Sequence, residues 1–375
     1  MNVMSHEGSN PIPTHARSLV FIGLERSPPY ILESSKIPLE LDDGEVLLSV
    51  ELATICGSDI HTLVGQRTTP NPCVLGHEGC GVVLKSCRPD VRVGDRVTWA
   101  ICASCNNCQF CSLGLSNKCE NLVKCGHALM KRAPLFGTYS THIRCPKGTT
   151  IVSLPPALTP QLAAPINCAL ATMVNGLSKI PPVPSPGEQG ASVALIQGAG
   201  MLGLYGIALL KEAGFSKVYC IDTNLQRLSM AAEFGAIPVY PDQAWPYATE
   251  PNEEVIPPDS VDVVFEVCGN KDSLPQGVRA LRVGGTYVLI GLVHRDSRMN
   301  VLAQTIITKC LTLVGVHNYT GKHLEEAVKF LSLHHDSYPF SSLMGPVFPL
   351  SQFKNAVEAA TSGRFFRVAI NPQEK

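Results

Sequence analysis

The sequence predicts an α/β protein with two structural units, one rich in β-strands and one built round a parallel sheet. Its 375 residues are too many for one ordinary domain. Before about residue 180, short β-type runs are separated by turn residues, and after it strands alternate with helices. That alternation is typical of a parallel sheet covered by helices on both faces.

The first unit contains three strand-like runs, EVLLSVELATI (45–55), GCGVVL (79–84) and DRVTWAI (95–101). The run PPVPSPGEQG (181–190) is rich in proline and glycine, so it predicts a linker or a long surface loop. Residues 1–18 are polar, contain prolines and have no apolar signal core. They predict a short disordered arm rather than a targeting peptide.

The second unit shows the alternation most clearly. The predicted strands are SVALIQ (192–197), KVYCID (217–222), VDVVFEV (261–267) and GGTYVLIGL (284–292). The predicted helices include LGLYGIALLKEAG (202–214), LQRLSMAAEFGA (225–236) and HLEEAVKFLSL (323–333). The segment PLSQFKNAVEAATSG (349–363) then leads into a last strand, RFFRVAI (364–370).

Composition narrows the possible functions. Apolar residues make up 45% of the chain and charged residues 16%, with a formal charge of −1. A broad basic surface for nucleic acid or an anionic membrane is therefore not expected. No run of about eighteen apolar residues predicts a membrane span. Fifteen cysteines without a secretory signal indicate a reducing compartment, so the expected location is cytoplasmic.

Five cysteines lie within one short loop. Four of them follow the spacing C-x2-C-x2-C-x7-C, namely Cys105, Cys108, Cys111 and Cys119. The fifth, Cys102, lies upstream. Three thiols at two-residue gaps can surround one ion, and a fourth can complete a tetrahedron. Zinc suits four thiolates, whereas the common spacings of iron–sulfur clusters differ. Because four thiolates leave no open position, the loop is predicted to hold structure rather than to catalyse.

A nucleotide-binding signal lies in SVALIQGAGMLG, where a predicted strand ends in Gly198-x-Gly200-x-x-Gly203 and a helix begins. The glycines allow a tight turn, close approach of a pyrophosphate to backbone amides, and close helix–strand packing. Asp222 closes the next predicted strand. A carboxylate there accepts hydrogen bonds from the ribose hydroxyls and repels a 2′-phosphate, which favours NAD over NADP. Arg227 is the opposing feature, since a basic side chain near the ribose could tolerate that phosphate.

Two further segments, ICGSDIH (55–61) and LGHEGCG (75–81), carry residues that can bind a metal. Together with the cysteine loop and the glycine motif, they resemble the zinc-dependent medium-chain alcohol dehydrogenases. The cysteine loop matches that family's structural zinc lobe. The resemblance implies a GroES-like, β-rich catalytic domain over 1–170 and 318–375. It also implies a Rossmann NAD-binding domain with a doubly wound parallel sheet over 171–317.

The resemblance implies ligands for a second, catalytic zinc. Cys56 matches the first ligand, His77 the second, and Cys168 the third, which comes from a helix. Two cysteines and one histidine leave a fourth position for water or alcohol, the ligand set known for alcohol dehydrogenase. Glu78 resembles the family glutamate that lies behind the metal. Asp59 matches the carboxylate that orients the ligating imidazole.

Further roles follow from the same resemblance. Ser58 and His61 match a relay that carries a proton away through the cofactor ribose; the alternative for His61 is an ordinary surface histidine. Arg367 falls where an arginine reaches the pyrophosphate from the other domain, and its alternative is a surface arginine at a strand edge. Cysteines outside the zinc sites, such as Cys220 and Cys268, are expected to be small buried hydrophobes.

The implied function is hydride transfer between an alcohol, aldehyde or ketone and NAD, with two zinc ions per chain. One alternative is a non-enzymatic zinc- and nucleotide-binding derivative of the fold, which would be expected to lose catalytic ligands. Another is a zinc-free quinone reductase, which would lack the cysteine lobe. Two, one or no zinc ions per chain would separate the three. The family's habit implies a homodimer or homotetramer.

Local positive charge follows the cysteine loop. This segment contains one acidic residue, Glu120, and four basic ones, Lys118, Lys124, Lys131 and Arg132. In the related enzymes this segment borders the substrate cleft, so the charge predicts an anionic alcohol or aldehyde. The alternative is a solvated loop face. PINCALATMVNGL (165–177) also resembles a subgroup associated with phosphonate metabolism, which favours a phosphonate- or carboxylate-bearing substrate.

Overall fold

The computed structural model describes residues 12–183, 192–241, 256–293 and 297–374. Most of the predicted N-terminal arm and most of the predicted linker at 181–190 lie outside these residues. The end of the predicted arm is not irregular, because the first strand begins at His15. None of the described helices has the length and apolar character needed to cross a bilayer.

The first unit is made of antiparallel strands. They are β1 (His15–Phe21), β2 (Tyr30–Lys36), β3 (Val46–Thr54), β4 (Cys73–Val74), β5 (Glu78–Ser86), β6 (Arg96–Ala103), β7 (Val123–Lys124), β8 (His142–Cys145) and β9 (Thr149–Ser153). The three predicted runs coincide with β3, β5 and β6 to within two residues. The largest buried side chains of this unit include Trp99 and Tyr139. Burial of apolar side chains, these aromatic ones among them, is the main favourable term in the stability of the unit.

The second unit is a six-stranded parallel sheet. Its strands are β10 (Val193–Gln197), β11 (Lys217–Ile221), β12 (Ile237–Val239), β13 (Val261–Glu266), β14 (Leu281–Leu289) and β15 (Thr312–Gly315). The strands run in the order β12-β11-β10-β13-β14-β15. The order reverses between β10 and β13, which is where doubly wound sheets open a ligand crevice. The four predicted strands are present, whereas β12 and β15 were not predicted.

Helices cover the sheets and connect them. They are α1 (Gly57–Leu63), α2 (Gln109–Ser112), α3 (Pro160–Ala163), α4 (Ala171–Leu177), α5 (Met201–Glu212), α6 (Leu225–Glu233), α7 (Ser273–Ala280), α8 (Ala303–Thr308), α9 (Gly321–His334) and α10 (Phe353–Thr361). α5 is apolar nearly all round, and nine of its residues are buried. A helix of that composition belongs inside the molecule rather than on its surface.

Two late strands complete the sheet of the first unit. β16 (Met344–Pro349) pairs with β17 (Arg367–Asn371), and β17 pairs antiparallel with β3. The eight-stranded sheet therefore contains the path β16-β17-β3-β5-β6-β7. The parallel sheet lies wholly within 171–317, while β16 and β17 lie within 318–375. This arrangement agrees with the predicted domain limits, which remain a prediction.

Candidate active site

Four potential metal ligands meet at one end of the antiparallel sheet. Ligand atoms of Cys56, His77, Glu78 and Cys168 all lie within 4.8 Å of one another. The Sγ atoms of Cys56 and Cys168 are 3.9 Å apart. Tetrahedral zinc with Zn–S bonds of about 2.3 Å requires a sulfur–sulfur separation of about 3.8 Å. The arrangement of the two thiols therefore fits a zinc ion.

Asp59 joins the beginning of α1 to the imidazole of His77. Its carboxylate accepts hydrogen bonds from the Cys56 backbone N–H (2.9 Å) and the Tyr139 hydroxyl (2.8 Å), and lies 3.1 Å from His77 Nδ1. Burial alone would lower the pKa of His77, but the Asp59 carboxylate and the Cys56 sulfur together outweigh it and raise that pKa to about 10. An imidazole fixed and made more basic in this way is a stronger ligand through Nε2.

The two cysteines of the site differ in acidity. A hydrogen bond from the Cys168 thiol lowers the pKa of Cys56 well below its usual value, overcoming burial, and the Arg367 charge adds to the effect. The same contact, together with burial, raises the pKa of Cys168 well above its usual value. Without a metal, the Cys56 sulfur is therefore the thiolate of the pair. It is the sulfur better prepared to capture a cation.

Cys168 lies on a π-helical turn, Ile166–Leu170, that precedes α4. Such single turns occur often at functional sites. The neighbouring Asn167 is fully buried, and its side-chain amide donates to the carbonyls of His77 (3.1 Å) and Trp99 (2.9 Å). One amide thus ties the turn that carries Cys168 to the backbone that carries His77. Sequence reasoning missed Asn167, although an amide beside a predicted ligand in an apolar run was a signal.

Glu78 and Arg367 form a buried ion pair behind the ligands. The guanidinium donates from Nε and Nη2 to the two carboxylate oxygens, each at 3.0 Å, and the Thr54 hydroxyl also donates to the carboxylate. Burial raises the pKa of Glu78 to about 7, against the opposing charge of Arg367. Because Glu78 already holds these partners, Cys56, His77 and Cys168 are the residues left to bind a metal.

The alternative for Arg367, a surface arginine at a strand edge, is wrong. Arg367 is only 8% exposed, and Nη2 lies 3.9 Å from Cys56 Sγ. β17 places it there because this strand pairs with β3, the strand that leads into Cys56. The structure thus puts Arg367 among the metal-site residues. Its predicted contact with a cofactor pyrophosphate remains a prediction.

The metal ligands open onto a cavity of about 380 Å³ that also contains both residues of the predicted relay. Ser58 Oγ lies 3.4 Å from His77 Nε2, and His61 follows Ser58 by three positions on α1. Residues three apart share one face of a helix, so the two side chains lie along one wall. Their role in proton transfer remains a prediction.

This cavity is named the inner cavity here. Two of its lining residues, Arg67 and Lys124, have cationic side chains. Lys124 was among the four cations singled out in the sequence, and Arg67 was not. Lys131 and Arg132 are exposed and do not line the inner cavity. Sequence reasoning missed Arg67 and also His127, which lies beside His77 with ring centroids 5.6 Å apart.

The glycine motif forms the turn between β10 and α5. Gly198 has φ of +113°, a conformation that favours glycine. A Cβ on Gly203 would lie 1.9 Å from the Gly198 carbonyl oxygen, so the helix passes too close for any side chain. A Cβ on Gly200 would meet nothing within 4 Å, which leaves an open space at the beginning of α5. That space fits the pyrophosphate of a dinucleotide, which binds at such helix N-termini.

Asp222 lies directly after β11 and faces the same turn. Its carboxylate accepts hydrogen bonds from the backbone N–H groups of Ala199 and Asn224, each at 2.8 Å. Asp222 and Arg227 line a cavity of about 380 Å³ together with Gly198 and Gly200. The structure therefore brings the predicted cofactor residues together, apart from Arg367.

The expectation for the remaining cysteines is only partly correct. Cys220 is fully buried, which confirms the prediction for this residue. Cys268 is exposed and lines the cofactor cavity, so the prediction for it is wrong. The reason is topological, because Cys268 follows the end of β13, where the sheet opens its crevice.

The cysteine loop forms a second cluster, separate from the inner cavity. Ligand atoms of four cysteines lie within 4.8 Å of one another: Cys105, Cys108, Cys111 and Cys119. The measured sulfur–sulfur distances are 3.5 Å from Cys108 to Cys111, 3.9 Å from Cys108 to Cys119 and 3.4 Å from Cys119 to Cys105. These distances also fit zinc.

Cys102 does not belong to the four-cysteine group. It precedes the loop in sequence but lies buried in β6, where it pairs with Lys124 of β7. Burial raises the pKa of the Cys102 thiol, as expected for a cysteine in the core rather than for a metal ligand. The spacing of the other four had predicted this division.

Comparison with known proteins places the fold in one family. Residues 42–156 match the alcohol dehydrogenase GroES-like domain and residues 202–332 the zinc-binding dehydrogenase domain. A probable D-xylulose reductase A of Neosartorya fischeri is 31% identical over 84% of this chain and 86% of its own length. The 5-exo-hydroxycamphor dehydrogenase of Pseudomonas putida is 26% identical over 95% and 99%.

Solved structures agree with the sequence relatives. An alcohol dehydrogenase from Thermotoga maritima has a TM-score of 0.83 at 24% identity, covering 96% of this chain and all of its own. A zinc-binding dehydrogenase from Sinorhizobium meliloti bound to NADP has a TM-score of 0.82 at 23% identity, with the same coverage. The chain belongs to the zinc-dependent medium-chain alcohol dehydrogenase family.

Proposed function

We propose that this protein is a zinc-dependent alcohol dehydrogenase that transfers a hydride between an alcohol, aldehyde or ketone and NAD. The observation that carries the proposal is the arrangement of Cys56, His77 and Cys168 at the inner cavity. Glu78 is held by Arg367, so three ligands face the cavity and a fourth position is left for a substrate oxygen.

The side chains around this position suit the reaction. A zinc ion held there supplies Lewis acidity that lowers the pKa of an alcohol, and NAD supplies the hydride acceptor. We propose that Ser58 accepts the hydroxyl proton and that His61, one turn further along α1, receives it by way of the cofactor ribose; both side chains line the inner cavity. Apolar side chains limit water near the reacting carbon: Ile101, Leu202, Ile290, Val293 and Val316.

The proposed function is tested by zinc content together with turnover. We expect two zinc ions per chain and NADH formation with at least one member of an alcohol panel, followed by absorbance. One zinc ion and no turnover would favour a binding protein that has lost catalysis. No zinc, with reduction of quinones, would favour the reductase. The presence of all three ligands and of the four-cysteine group supports the dehydrogenase.

We propose NAD rather than NADP as the cofactor, because Asp222 faces the glycine turn. Asp222→Ser is expected to weaken NAD binding by about tenfold and to improve NADP use, since the ribose hydrogen bonds and the charge repulsion are both lost. KM values for both cofactors would measure it.

Asp222→Asn is the matched control for that substitution. It keeps an acceptor for the Ala199 N–H but removes the charge, so we expect it to improve NADP use with less damage to the glycine turn. A wild-type protein that already prefers NADP would show that Asp222 does not select the cofactor and that Arg227 does.

We also propose that the substrate is anionic. Lys124 supports this, because it is the one member of the predicted basic group that lines the inner cavity. The alternative, a solvated loop face, accounts for the exposed Lys131 and Arg132. The alcohol panel therefore includes 2-hydroxyethylphosphonate and the neutral 1-propanol over a range of salt concentrations. Cations that steer an anion towards the site lose their effect as salt rises.

Assembly and compartment complete the proposal. We propose a homodimer or homotetramer, because β15 pairs only with β14 among the described residues and leaves one edge of the parallel sheet open. Leu302 directly precedes α8 and Ile307 lies within it, and each of these side chains is 72% exposed. A second copy would cover both features, and light scattering would show it. Metal-binding thiols favour a reducing compartment, which supports the cytoplasm.

A further inference from the structure

The inner cavity continues into a second one, here named the outer cavity. The outer cavity has a volume of about 350 Å³ and shares Ile290, Val293, Val316 and His317 with the inner cavity. Lys118 and Lys179 line the outer cavity, and Arg67 and Lys124 line the inner one. Among the described residues that line either cavity, none is an aspartate or a glutamate. The charged side chains among the described lining residues are therefore all cations.

The two inner cations have few partners within the protein. Lys124 Nζ donates to the side-chain oxygen of Asn318 at 3.1 Å, and an ammonium group has two more hydrogens to donate. For the Arg67 guanidinium, the described part of the chain offers neither a hydrogen bond nor an ion pair. Burial lowers the pKa of Lys124, and the nearby Arg67 charge lowers it further. Two like charges that face one cavity repel each other until an anion lies between them.

His127 adds an unpartnered donor to the same wall. Both of its ring nitrogens are shielded from solvent and have no hydrogen-bond partner among the described residues. In either protonation state the ring carries at least one N–H. A buried donor without a partner is unfavourable, so a ligand that accepts its hydrogen bond would be stabilised.

Charges behind the metal ligands do not cancel those of Arg67 and Lys124. The thiolates of Cys56 and Cys168 balance a zinc ion that they would hold. Glu78 is neutralised by Arg367, and the Asp59 carboxylate, hydrogen-bonded to His77 and Tyr139, offsets at most one of the two positive charges. We assign the cofactor phosphates to the cofactor cavity, which shares no lining residue with the inner cavity. The unbalanced charge of the inner cavity is left for the substrate.

We propose that Arg67 and Lys124 form the subsite that binds an oxyanion group of the substrate, while the carbinol carbon faces Cys56, His77 and Cys168. This assignment rests on the proposed function. A guanidinium fork beside an ammonium group matches a phosphonate dianion better than a single carboxylate charge. Lys118 and Lys179 raise the concentration of such anions at the mouth of the path.

Comparison of three substrates in four proteins tests the subsite. kcat/KM is measured for 2-hydroxyethylphosphonate, 3-hydroxypropionate and 1-propanol with wild type, Arg67→Gln, Lys124→Gln and the control Lys131→Gln. We expect the phosphonate-to-propanol ratio to fall about 10- to 100-fold in the first two variants, mainly through KM, and to stay unchanged in the control. The carboxylate arm shows whether one negative charge is enough.

A binding measurement separates failure of the subsite from failure of the proposed function. Calorimetry follows ethylphosphonate, which has no alcohol group, binding to the purified protein with NAD present. Propanol turnover with an unchanged ratio and no Arg67-dependent binding would overturn the subsite and leave the dehydrogenase. No turnover of any alcohol, but ethylphosphonate binding that Arg67→Gln weakens, would overturn the dehydrogenase and keep the anion site. Absence of alcohol turnover together with absence of ethylphosphonate binding would overturn both the dehydrogenase and the anion subsite.

Discussion

Replacing Cys56 or His77 with alanine is expected to lower kcat/KM by about a thousandfold or more while the protein remains folded. Each change removes one of the three proposed ligands that face the inner cavity, and two remaining ligands hold zinc poorly. The four-cysteine group lies on a different loop, so it should keep its own zinc ion. We therefore expect zinc content to fall from two ions per chain to one, with an unchanged circular dichroism spectrum.

Cys310→Ala serves as the control for these variants, because Cys310 is an exposed thiol outside both metal groups. It should retain two zinc ions and full turnover. Unfolding of the Cys56 and His77 variants with loss of both ions would contradict the division of labour between the two sites. Substantial turnover in either variant would show that the reaction does not depend on the ligands of the inner cavity.

The second large effect is expected on stability. Cys105→Ser should lower Tm by about 10 °C and promote aggregation, because binding of the ion is what orders this loop. The loop has little regular structure of its own, since α2 contains only four residues. Hydrogen bonds from the Asn107 backbone and from Cys119 lower the pKa of the Cys105 thiol to about 6. A serine hydroxyl cannot replace that thiolate.

Cys102→Ser separates loss of a ligand from loss of a nearby thiol. Cys102 belongs to β6 and not to the metal group, so this variant should keep two zinc ions per chain even if burying a hydroxyl costs some stability. Scanning calorimetry and metal analysis of both variants would decide. A Cys105→Ser protein with unchanged Tm and two zinc ions would remove the case for a structural site.

The sequence predicts features whose chemistry is carried by neighbouring residues. The spacing of Cys105, Cys108 and Cys111 indicates a metal group because two-residue gaps keep the three thiols close together in space. The glycine motif is informative for the same reason, since strand, turn and helix follow one another directly. β16 was missed because its residues, MGPVFP, include a glycine and two prolines, which are unusual within strands.

Contacts between distant parts of the chain could not be predicted in this way. Arg367 meets Glu78 only because β17 and β5 flank the same strand, and the surface reading of Arg367 failed for that reason. Asn167 contacts His77 through the backbone carbonyl of His77. Every residue has such a carbonyl, so the sequence does not indicate which one accepts the hydrogen bond. Arg67 and Lys124 share a cavity although Arg67 follows α1 and Lys124 belongs to β7. Only the assembled sheet brings such groups together.

The pairing of β17 with β3 also bears on the order in which the chain can mature during synthesis. β10 to β15 form one continuous stretch, so the nucleotide-binding sheet can assemble as soon as residue 315 has left the ribosome. The catalytic sheet has to wait for Arg367–Asn371, more than half the chain after β3. Until then Glu78 lacks its buried counter-ion. A ribosome stalled shortly before this strand would thus expose a chain that can bind the dinucleotide but whose metal site is unfinished.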